Sequence, residues 1–137
     1  DVYKRQVLPL AGLHLLLAED NELNSEIATA LLEEQGASIT AVENGRLALE
    51  AIQNAAPRTY DAILMDVMMP EMNGLEATRC IRAFEGKGPG EGTPIIAMTA
   101  NAFDEDRQKA LSVGMDAHLA KPVDVKRLFG TLRKVIR

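Results

Sequence analysis

Five polar side chains stand at the ends of short apolar segments, and their types are suited to chemistry. They are Glu19, Asp20, Asp66, Thr99 and Lys121. Asp66 is the most demanding of them, because four apolar residues, Ala62 to Met65, lead directly into its carboxylate. A buried carboxylate without a partner is costly in free energy or takes up a proton. We therefore expect another group of the chain to pair with Asp66 or to use it.

Three carboxylates that share a cleft repel one another, so they either hold protons or bind a hard cation. Oxygen ligands with room for water suit Mg²⁺, with Mn²⁺ as an alternative. Once a cation reduces the repulsion, the Asp66 carboxylate can attack phosphorus and form an aspartyl-phosphate. Lys121 can pair with Asp66 before the reaction and with a phosphoryl oxygen afterwards, while the Thr99 hydroxyl donates to another oxygen. The small side chain of Ala100 leaves space for the incoming group.

These side chains need a scaffold that brings strand ends together, and the sequence pattern predicts one. Short apolar runs typical of strands alternate with segments of helical period. The predicted strands are 14–18, 38–42, 62–65, 95–99 and 117–120, and the predicted helices are 22–35, 46–53, 75–84, 104–112 and 125–135. Strict alternation predicts an α/β fold, a doubly wound five-stranded parallel sheet with helices on both faces. In such a sheet functional groups gather beyond the carboxyl ends of the strands.

Size and composition limit the possible classes. The chain has 137 residues, enough for one domain with a real core. No apolar run approaches the roughly 20 residues that a membrane helix needs. The formal net charge is −5 and no basic stripe is interleaved with aromatics, which argues against direct nucleic-acid binding. The single cysteine, Cys80, and the lack of a secretory signal favour a reducing, cytoplasmic setting.

The first residues do not show a sustained period. Residues 1–12 mix charge with Pro9 and Gly12, so we interpret them as a linker or tag remnant. Asn21 and Asp124 are expected to cap the first and last helices. The folded domain is therefore expected to span residues 13–137.

Four motifs, in this order, resemble those of response regulator receiver domains: LLLAEDN, ILMDVMMPEMNG, IIAMTA and HLAKP. The resemblance covers about residues 14–137, and it implies the flavodoxin-like strand order 2-1-3-4-5. It implies a signalling phosphoacceptor of a two-component phosphorelay rather than an enzyme, although such a domain assists its own phosphorylation and dephosphorylation. The implied partner is a histidine kinase or a histidine phosphotransfer domain. We expect a cytoplasmic monomer that neither contacts nucleic acid nor inserts into a membrane.

The resemblance also assigns roles to the acidic positions. In that family the acids matching Glu19 and Asp20 hold Mg²⁺, and the acid matching Asp66 accepts phosphate from a phosphohistidine. A further ligand in the family is a backbone carbonyl two residues after the phosphoacceptor, which here belongs to Met68. A carbonyl ligand makes the identity of that side chain unimportant for metal binding.

Four further positions match the family or depart from it. Thr99 matches the switch hydroxyl and Lys121 the essential lysine. The family carries a cis peptide before the proline matching Pro122, which would turn Lys121 towards the cleft, and Ala100 and Pro122 are expected to shape the pocket. His118 stands where the family usually has Tyr or Phe. Two interpretations of His118 stay open, a switch residue or a partly exposed strand residue without a switching role.

Two features of the first helix concern partners. The segment AEDNELN is similar to receivers at the carboxyl end of hybrid sensor kinases, so a hybrid kinase is the expected source of this domain. Leu23 either lies exposed beside the cleft, where it contacts a partner helix, or belongs to the core. Both positions are compatible with the sequence.

Other functional classes fit the sequence less well than a receiver. A phosphatase of the haloacid dehalogenase type also uses an aspartate after a strand, but its general acid is a second aspartate two residues later. Met68 occupies that position and cannot donate a proton. A non-phosphorylated interaction domain is opposed by the intact acids, and a flavin carrier on the same fold by the acidic turn after the first strand.

Overall fold

The computed structural model describes residues 8–100 and 104–136 of the chain. Five strands alternate with five helices along these residues. The strands are β1 (His14–Ala18), β2 (Ser38–Val42), β3 (Ala62–Asp66), β4 (Ile95–Thr99) and β5 (Ala117–Ala120), and the helices are α1 (Glu22–Glu34), α2 (Gly45–Asn54), α3 (Gly74–Glu85), α4 (Asp104–Ser112) and α5 (Val125–Val135). The strands form one parallel sheet in the order β2-β1-β3-β4-β5. The predicted doubly wound α/β fold is confirmed.

Polar side chains fix the starts of four helices. The side-chain oxygens of Asn21, Asn44 and Asn73 each accept a hydrogen bond from the backbone N–H three residues later. Each asparagine thereby satisfies one of the backbone donors that a helix start leaves without an intrahelical partner. Asp124 caps α5 in the same manner, as predicted. Because Asn44 and Asn73 are the caps, α2 and α3 begin one residue earlier than the apolar period indicated, at the glycines that follow.

Strand β3 also extends one residue further than predicted. Asp66 pairs with Met98 of β4 and therefore belongs to the ladder. Every residue of β3 and β4 is buried, because helices cover both faces of these central strands. Asp66 is thus a charged residue at the end of a buried strand.

Two hydrophobic clusters fill the two faces of the sheet. Successive strand residues point to opposite faces, so Leu15 and Leu17 of β1 join one cluster and Leu16 and Ala18 join the other. Helices α1 and α5 cover the first face, and α2, α3 and α4 cover the second. Within the described ranges, none of the helices combines the length and apolar character needed to cross a membrane.

The segment before β1 contributes to the first cluster. Leu10 is fully buried there, and its N–H donates to the carbonyl of Gln35 at 2.8 Å. A residue of the predicted linker therefore packs against the fold, which the sequence did not indicate. Residues 1–7 of that linker lie outside the described residues, and the domain boundary at residue 13 stays a prediction.

A buried arginine connects the loops at the amino-terminal edge of β4 and β5. The guanidinium of Arg82, in α3, donates to the carbonyls of Gly114 and Thr93 at 2.9 and 2.8 Å. It also pairs with Glu85 at 3.1 Å and with Asp116 at 2.8 Å. These contacts hold the α3–β4 and α4–β5 connections together at the end of the sheet opposite the acidic residues.

Candidate functional site

The candidate site lies at the carboxyl edge of the sheet, where four strands end. Asp66 and Thr99 are the last residues of β3 and β4, while Glu19 and Lys121 directly follow β1 and β5. The parallel registers align these ends, since Asp66 pairs with Met98 and Thr99 pairs with Ala120. The structure therefore brings the predicted residues to one edge, as the strand-end pattern indicated.

Lys121 is the partner of the buried Asp66 carboxylate. Its ammonium Nζ donates to Oδ2 of Asp66 at 2.7 Å and to Oε1 of Glu19 at 2.9 Å. Each hydrogen bond joins an ammonium to a carboxylate and is therefore charge-assisted. Both carboxylates are buried, which shields these bonds from bulk water. Burial by itself would lower the pKa of Lys121, but the hydrogen bonds to Asp66 and Glu19 and their negative charges raise it above its usual value. The lysine is therefore held in its charged form.

The second oxygens of the two buried carboxylates accept backbone hydrogen bonds. Oδ1 of Asp66 accepts from the N–H of Met68 at 3.2 Å, and Oε2 of Glu19 accepts from the N–H of Asn21 at 3.2 Å. Each carboxylate is thus oriented by one backbone donor and one ammonium. The backbone of Met68 thus contacts the Asp66 carboxylate. The role of the Met68 carbonyl as a metal ligand stays a prediction.

Three carboxylates form a cluster whose chemistry fits a hard cation. One oxygen each of Glu19, Asp20 and Asp66 lies within 4.8 Å of the others. Glu19 and Asp66 are buried, whereas Asp20 is exposed and opens the cluster to water. Oxygen-only donors that leave room for water are the ligands that Mg²⁺ prefers in proteins.

Thr99 contacts the residue that departs from the family pattern. Its Oγ1 lies 2.8 Å from Nε2 of His118, which is partly exposed on β5. Ala100, which follows Thr99, is exposed at the cleft edge of the sheet. The peptide bond between Lys121 and Pro122 is cis, as the resemblance implied.

Two glycines of the site loops were missed as functional positions. A side chain at Gly74 would overlap the backbone carbonyl of Asp66, and one at Gly45 would overlap the carbonyl of Met72. The loop after Asp66 therefore packs directly against the starts of α2 and α3. Each of these glycines follows a capping asparagine, and the repeated Asn-Gly pair was the signal that could have identified them.

A polar clamp on the same loop was also missed. The side chain of Glu71 accepts hydrogen bonds from Asn44 and Arg46, each at 3.3 Å. Arg46 also pairs with Glu50 of its own helix. Glu71 has a φ of 63°, which is uncommon for a residue with a side chain. The clamp thus holds the loop after Asp66 in an unusual backbone conformation, and no local sequence signal marks it.

Helix α1 presents an apolar stripe to solvent beside the acids. Leu23, Ile27 and Leu31 recur every four residues and are 63%, 51% and 39% exposed. The opposite side of the helix packs on the sheet through Leu32. Of the two interpretations of Leu23, the structure supports the exposed one. Met68, on the loop after Asp66, is 75% exposed.

Comparison with known proteins identifies similar chains. The response regulator receiver domain model matches residues 15–133. A probable histidine kinase 1 from Oryza sativa subsp. indica is 39% identical over an alignment 150 residues long, gaps included, that covers 89% of this chain. The match spans 15% of the length of that relative.

Two solved structures are similar in both sequence and fold. The receiver domain of a sensor histidine kinase from Pseudomonas aeruginosa PAO1, with magnesium ion coordinated in the active site cleft, is 40% identical with a TM-score of 0.77. That match covers 91% of this chain and 98% of the other. A co-crystal structure of the Saccharomyces cerevisiae histidine phosphotransfer signaling protein Ypd1 and the receiver domain of its downstream response regulator Ssk1 gives 28% identity and a TM-score of 0.79, covering 95% and 91% of the two chains. These similarities support a receiver and not the phosphatase that the sequence left as an alternative.

Proposed function

The chain belongs to the response regulator receiver domain family, and we propose that it accepts a phosphoryl group on Asp66 from a phosphohistidine donor. One observation carries this assignment: the Lys121 ammonium lies 2.7 Å from Asp66 and 2.9 Å from Glu19. An ammonium at this distance balances the charge of a carboxylate nucleophile and can follow that charge onto a phosphoryl group. Both residues are held at strand ends, so little reorganisation precedes the reaction.

The transfer step exchanges one bond for another. A carboxylate oxygen of Asp66 attacks phosphorus, an O–P bond forms, and the P–N bond of the phosphohistidine breaks with its electron pair returning to the imidazole nitrogen. Lys121 then pairs with a phosphoryl oxygen, and the Thr99 hydroxyl donates to another. Ala100, which has a small side chain, and Pro122 are the proposed residues that shape the cleft.

Glu19, Asp20 and Asp66, with the carbonyl of Met68, are the proposed ligands of Mg²⁺. The cluster of carboxylate oxygens fits this ion, and Mn²⁺, which shares the preference for oxygen ligands, is the proposed substitute. The bound ion would neutralise negative charge on the cleft and on the phosphoryl oxygens. A magnesium ion in the cleft of the Pseudomonas receiver supports this assignment.

The proposed donor is a histidine phosphotransfer domain, or a histidine kinase, that docks on α1. Its docking surface would consist of the exposed stripe Leu23, Ile27 and Leu31 together with Met68. The stripe begins at Leu23, three residues after Asp20, and continues along α1 away from the acidic cleft, where a donor histidine must approach Asp66. The similarity to a receiver crystallised with the phosphotransfer protein Ypd1 supports this kind of partner.

The domain is proposed to form part of a longer hybrid histidine kinase that works in the cytoplasm. The matched relative from rice is named a histidine kinase, and the chain spans 15% of its length. Kinase activity would then reside elsewhere in that longer chain, and the receiver would act as a monomeric phosphoacceptor.

Intact-mass spectrometry tests the phosphoacceptor assignment. The protein is incubated with Mg²⁺ and phosphoramidate, whose P–N bond mimics that of the donor. One added phosphoryl group is expected in the wild type and none in Asp66→Asn. Absence of the mass gain in the wild type, or its persistence in Asp66→Asn, would contradict the assignment.

Transfer from a protein donor tests the docking surface separately. Leu23→Ser should slow transfer from a phosphorylated histidine phosphotransfer domain while leaving phosphorylation by phosphoramidate unchanged. Leu111→Ser, at an exposed leucine of α4, is the matched control and should affect neither reaction. Equal rates of protein-donated transfer for the two variants would place the docking surface elsewhere.

A further inference from the structure

The hydrogen bond between Thr99 and His118 links the cleft to a residue outside it. The two atoms, Oγ1 of Thr99 and Nε2 of His118, lie 2.8 Å apart. Thr99 is buried at the end of β4, whereas His118 lies one strand further from Asp66 and lines a surface groove with Arg127, Thr131 and Lys134 of α5. His118 therefore contacts the Thr99 hydroxyl through Nε2 and is also partly exposed at this groove.

The protonation of Nε2 determines what the Thr99 hydroxyl can do. A hydroxyl has one hydrogen to donate and two lone pairs that accept. If Nε2 carries no hydrogen, it accepts the hydroxyl hydrogen, which then points towards β5. If Nε2 carries a hydrogen, it donates to Oγ1, and the hydroxyl hydrogen is left to point in another direction. The position of the hydrogen on His118 therefore favours one direction of the Thr99 hydroxyl, towards β5 when Nε2 accepts and away from β5 when Nε2 donates.

We propose that His118 is a positioning residue that donates from Nε2 to Thr99 when Asp66 is phosphorylated, so that the Thr99 hydroxyl donates to the phosphoryl group. This inference rests on the proposed function of Asp66. The neutral ring reaches the donating form by releasing the hydrogen of Nδ1 to water and taking one from water at Nε2, which leaves its charge unchanged. Because the ring lines an open groove, the exchange does not require the core to open.

This role is distinct from that of a bulky aromatic group. A phenylalanine at position 118 could fill the same space but could not donate a hydrogen bond to Oγ1. The side-chain amide of glutamine could donate, although it is not aromatic. The two substitutions therefore separate hydrogen-bond donation from ring packing.

Nitrogen NMR of the imidazole gives the direct test. The His118 nitrogens are observed with Mg²⁺, first alone and then with beryllofluoride as a mimic of the phosphoryl group on Asp66. In the beryllofluoride complex, Nε2 is expected to show the pyrrole-like shift of a nitrogen that carries hydrogen. A pyridine-like Nε2 in that complex would overturn the inference.

Affinity for beryllofluoride in the presence of Mg²⁺ gives the second test. His118→Phe should weaken this affinity about three- to tenfold, the range that one hydrogen bond contributes, while His118→Gln stays within about twofold of the wild type. In a Thr99→Val background His118→Phe should have no further effect, because the acceptor of the hydrogen bond is gone. Unchanged affinity in His118→Phe, equal losses in the two His118 variants, or the same loss without the Thr99 hydroxyl would each overturn the inference.

Controls separate this inference from the proposed function and from misfolding. If the wild type does not bind beryllofluoride, or if Asp66→Asn still binds it, the phosphoacceptor assignment itself fails. If those results are as expected, the His118 series tests the positioning role alone. Mg²⁺ affinity without beryllofluoride should be similar in all His118 variants, because His118 is not a proposed metal ligand. Thermal unfolding shows that each variant is folded, and His118→Phe is expected to be slightly less stable because it loses the hydrogen bond to Thr99.

Discussion

Replacing Lys121 by Met should remove the cation that two buried carboxylates share. The side chains of Glu19 and Asp66 are only 4% and 6% exposed, and each charge-assisted hydrogen bond to Lys121 contributes about 1.5–3 kcal/mol. Two carboxylate charges 4.8 Å apart, the upper limit of the distances in this cluster, repel by about 3.5 kcal/mol at an effective dielectric constant of about 20. Water reaches the cluster beside the exposed Asp20 and reduces both effects. We expect the variant to lose about 2–4 kcal/mol of unfolding free energy.

Urea unfolding at pH 7, with and without Mg²⁺, measures this loss. Mg²⁺ should restore more than half of the lost unfolding free energy in Lys121→Met, because the ion neutralises the same carboxylates and binds only the folded state. A ligand present at 100 times its dissociation constant stabilises the folded state by about 2.7 kcal/mol. Lys126→Met, at an exposed position of α5, is the matched control and should change stability by less than about 0.5 kcal/mol. A Lys121→Met variant as stable as the wild type without Mg²⁺, or equally unstable with and without it, would refute this reasoning.

Three further predictions are tested by thermal or urea unfolding. The melting temperature of the wild type should rise with Mg²⁺ concentration, and Asp20→Ala should lose most of that rise while folding normally, since Asp20 is exposed; an equal rise in both would argue against the proposed ligands. Burial opposes the charge of Lys121, but its hydrogen bonds to Asp66 and Glu19 raise its pKa above the ordinary 10.5, so the folded state binds this proton more tightly than the unfolded state. The stability that Lys121 contributes is then fully present below pH 10.5 and is lost as the pH rises through the higher pKa of the folded state. The difference in unfolding free energy between the wild type and Lys121→Met should therefore shrink at strongly alkaline pH. A constant difference would contradict this prediction. Arg82→Met should lower the unfolding free energy by about 3 kcal/mol, because it leaves the largely buried carboxylates of Glu85 and Asp116 without their cation. Arg79→Met, at an exposed position of the same helix, should cost little, and similar losses in the two variants would show that the buried arginine contributes no special stability.

The positions of the strands and helices were predictable because local patterns agree with the fold. Central strands that are covered on both faces require continuous apolar runs, and β3 and β4 have them. The errors at the starts of α2 and α3 were single residues. They arose because a capping asparagine followed by glycine sets a helix start independently of the apolar period.

The membership of the site was also largely predictable. In a parallel sheet all carboxyl ends lie at one edge, so polar residues at strand ends must come together whatever their separation in the chain. Glu19, Asp66, Thr99 and Lys121 follow this rule. The contributions of Gly45, Gly74 and Glu71 could not be read in this way, because they depend on how closely two loops approach each other.

The sequence by itself determined the order of elements and which residues reach the cleft edge, since both follow from periodicity and strand direction. Only the tertiary structure decided which side chains touch. Lys121 bonds to Glu19 across 102 residues and to Asp66 across 55, and its choice of both carboxylates depends on sheet order and side-chain direction. Helix α1 is apolar on two sides, so periodicity could not tell that Leu32 packs on the sheet while Leu23 stays exposed. The contact of His118 with Thr99 likewise depends on how the side chains of two neighbouring strands face each other. The order of residues within one strand cannot predict this.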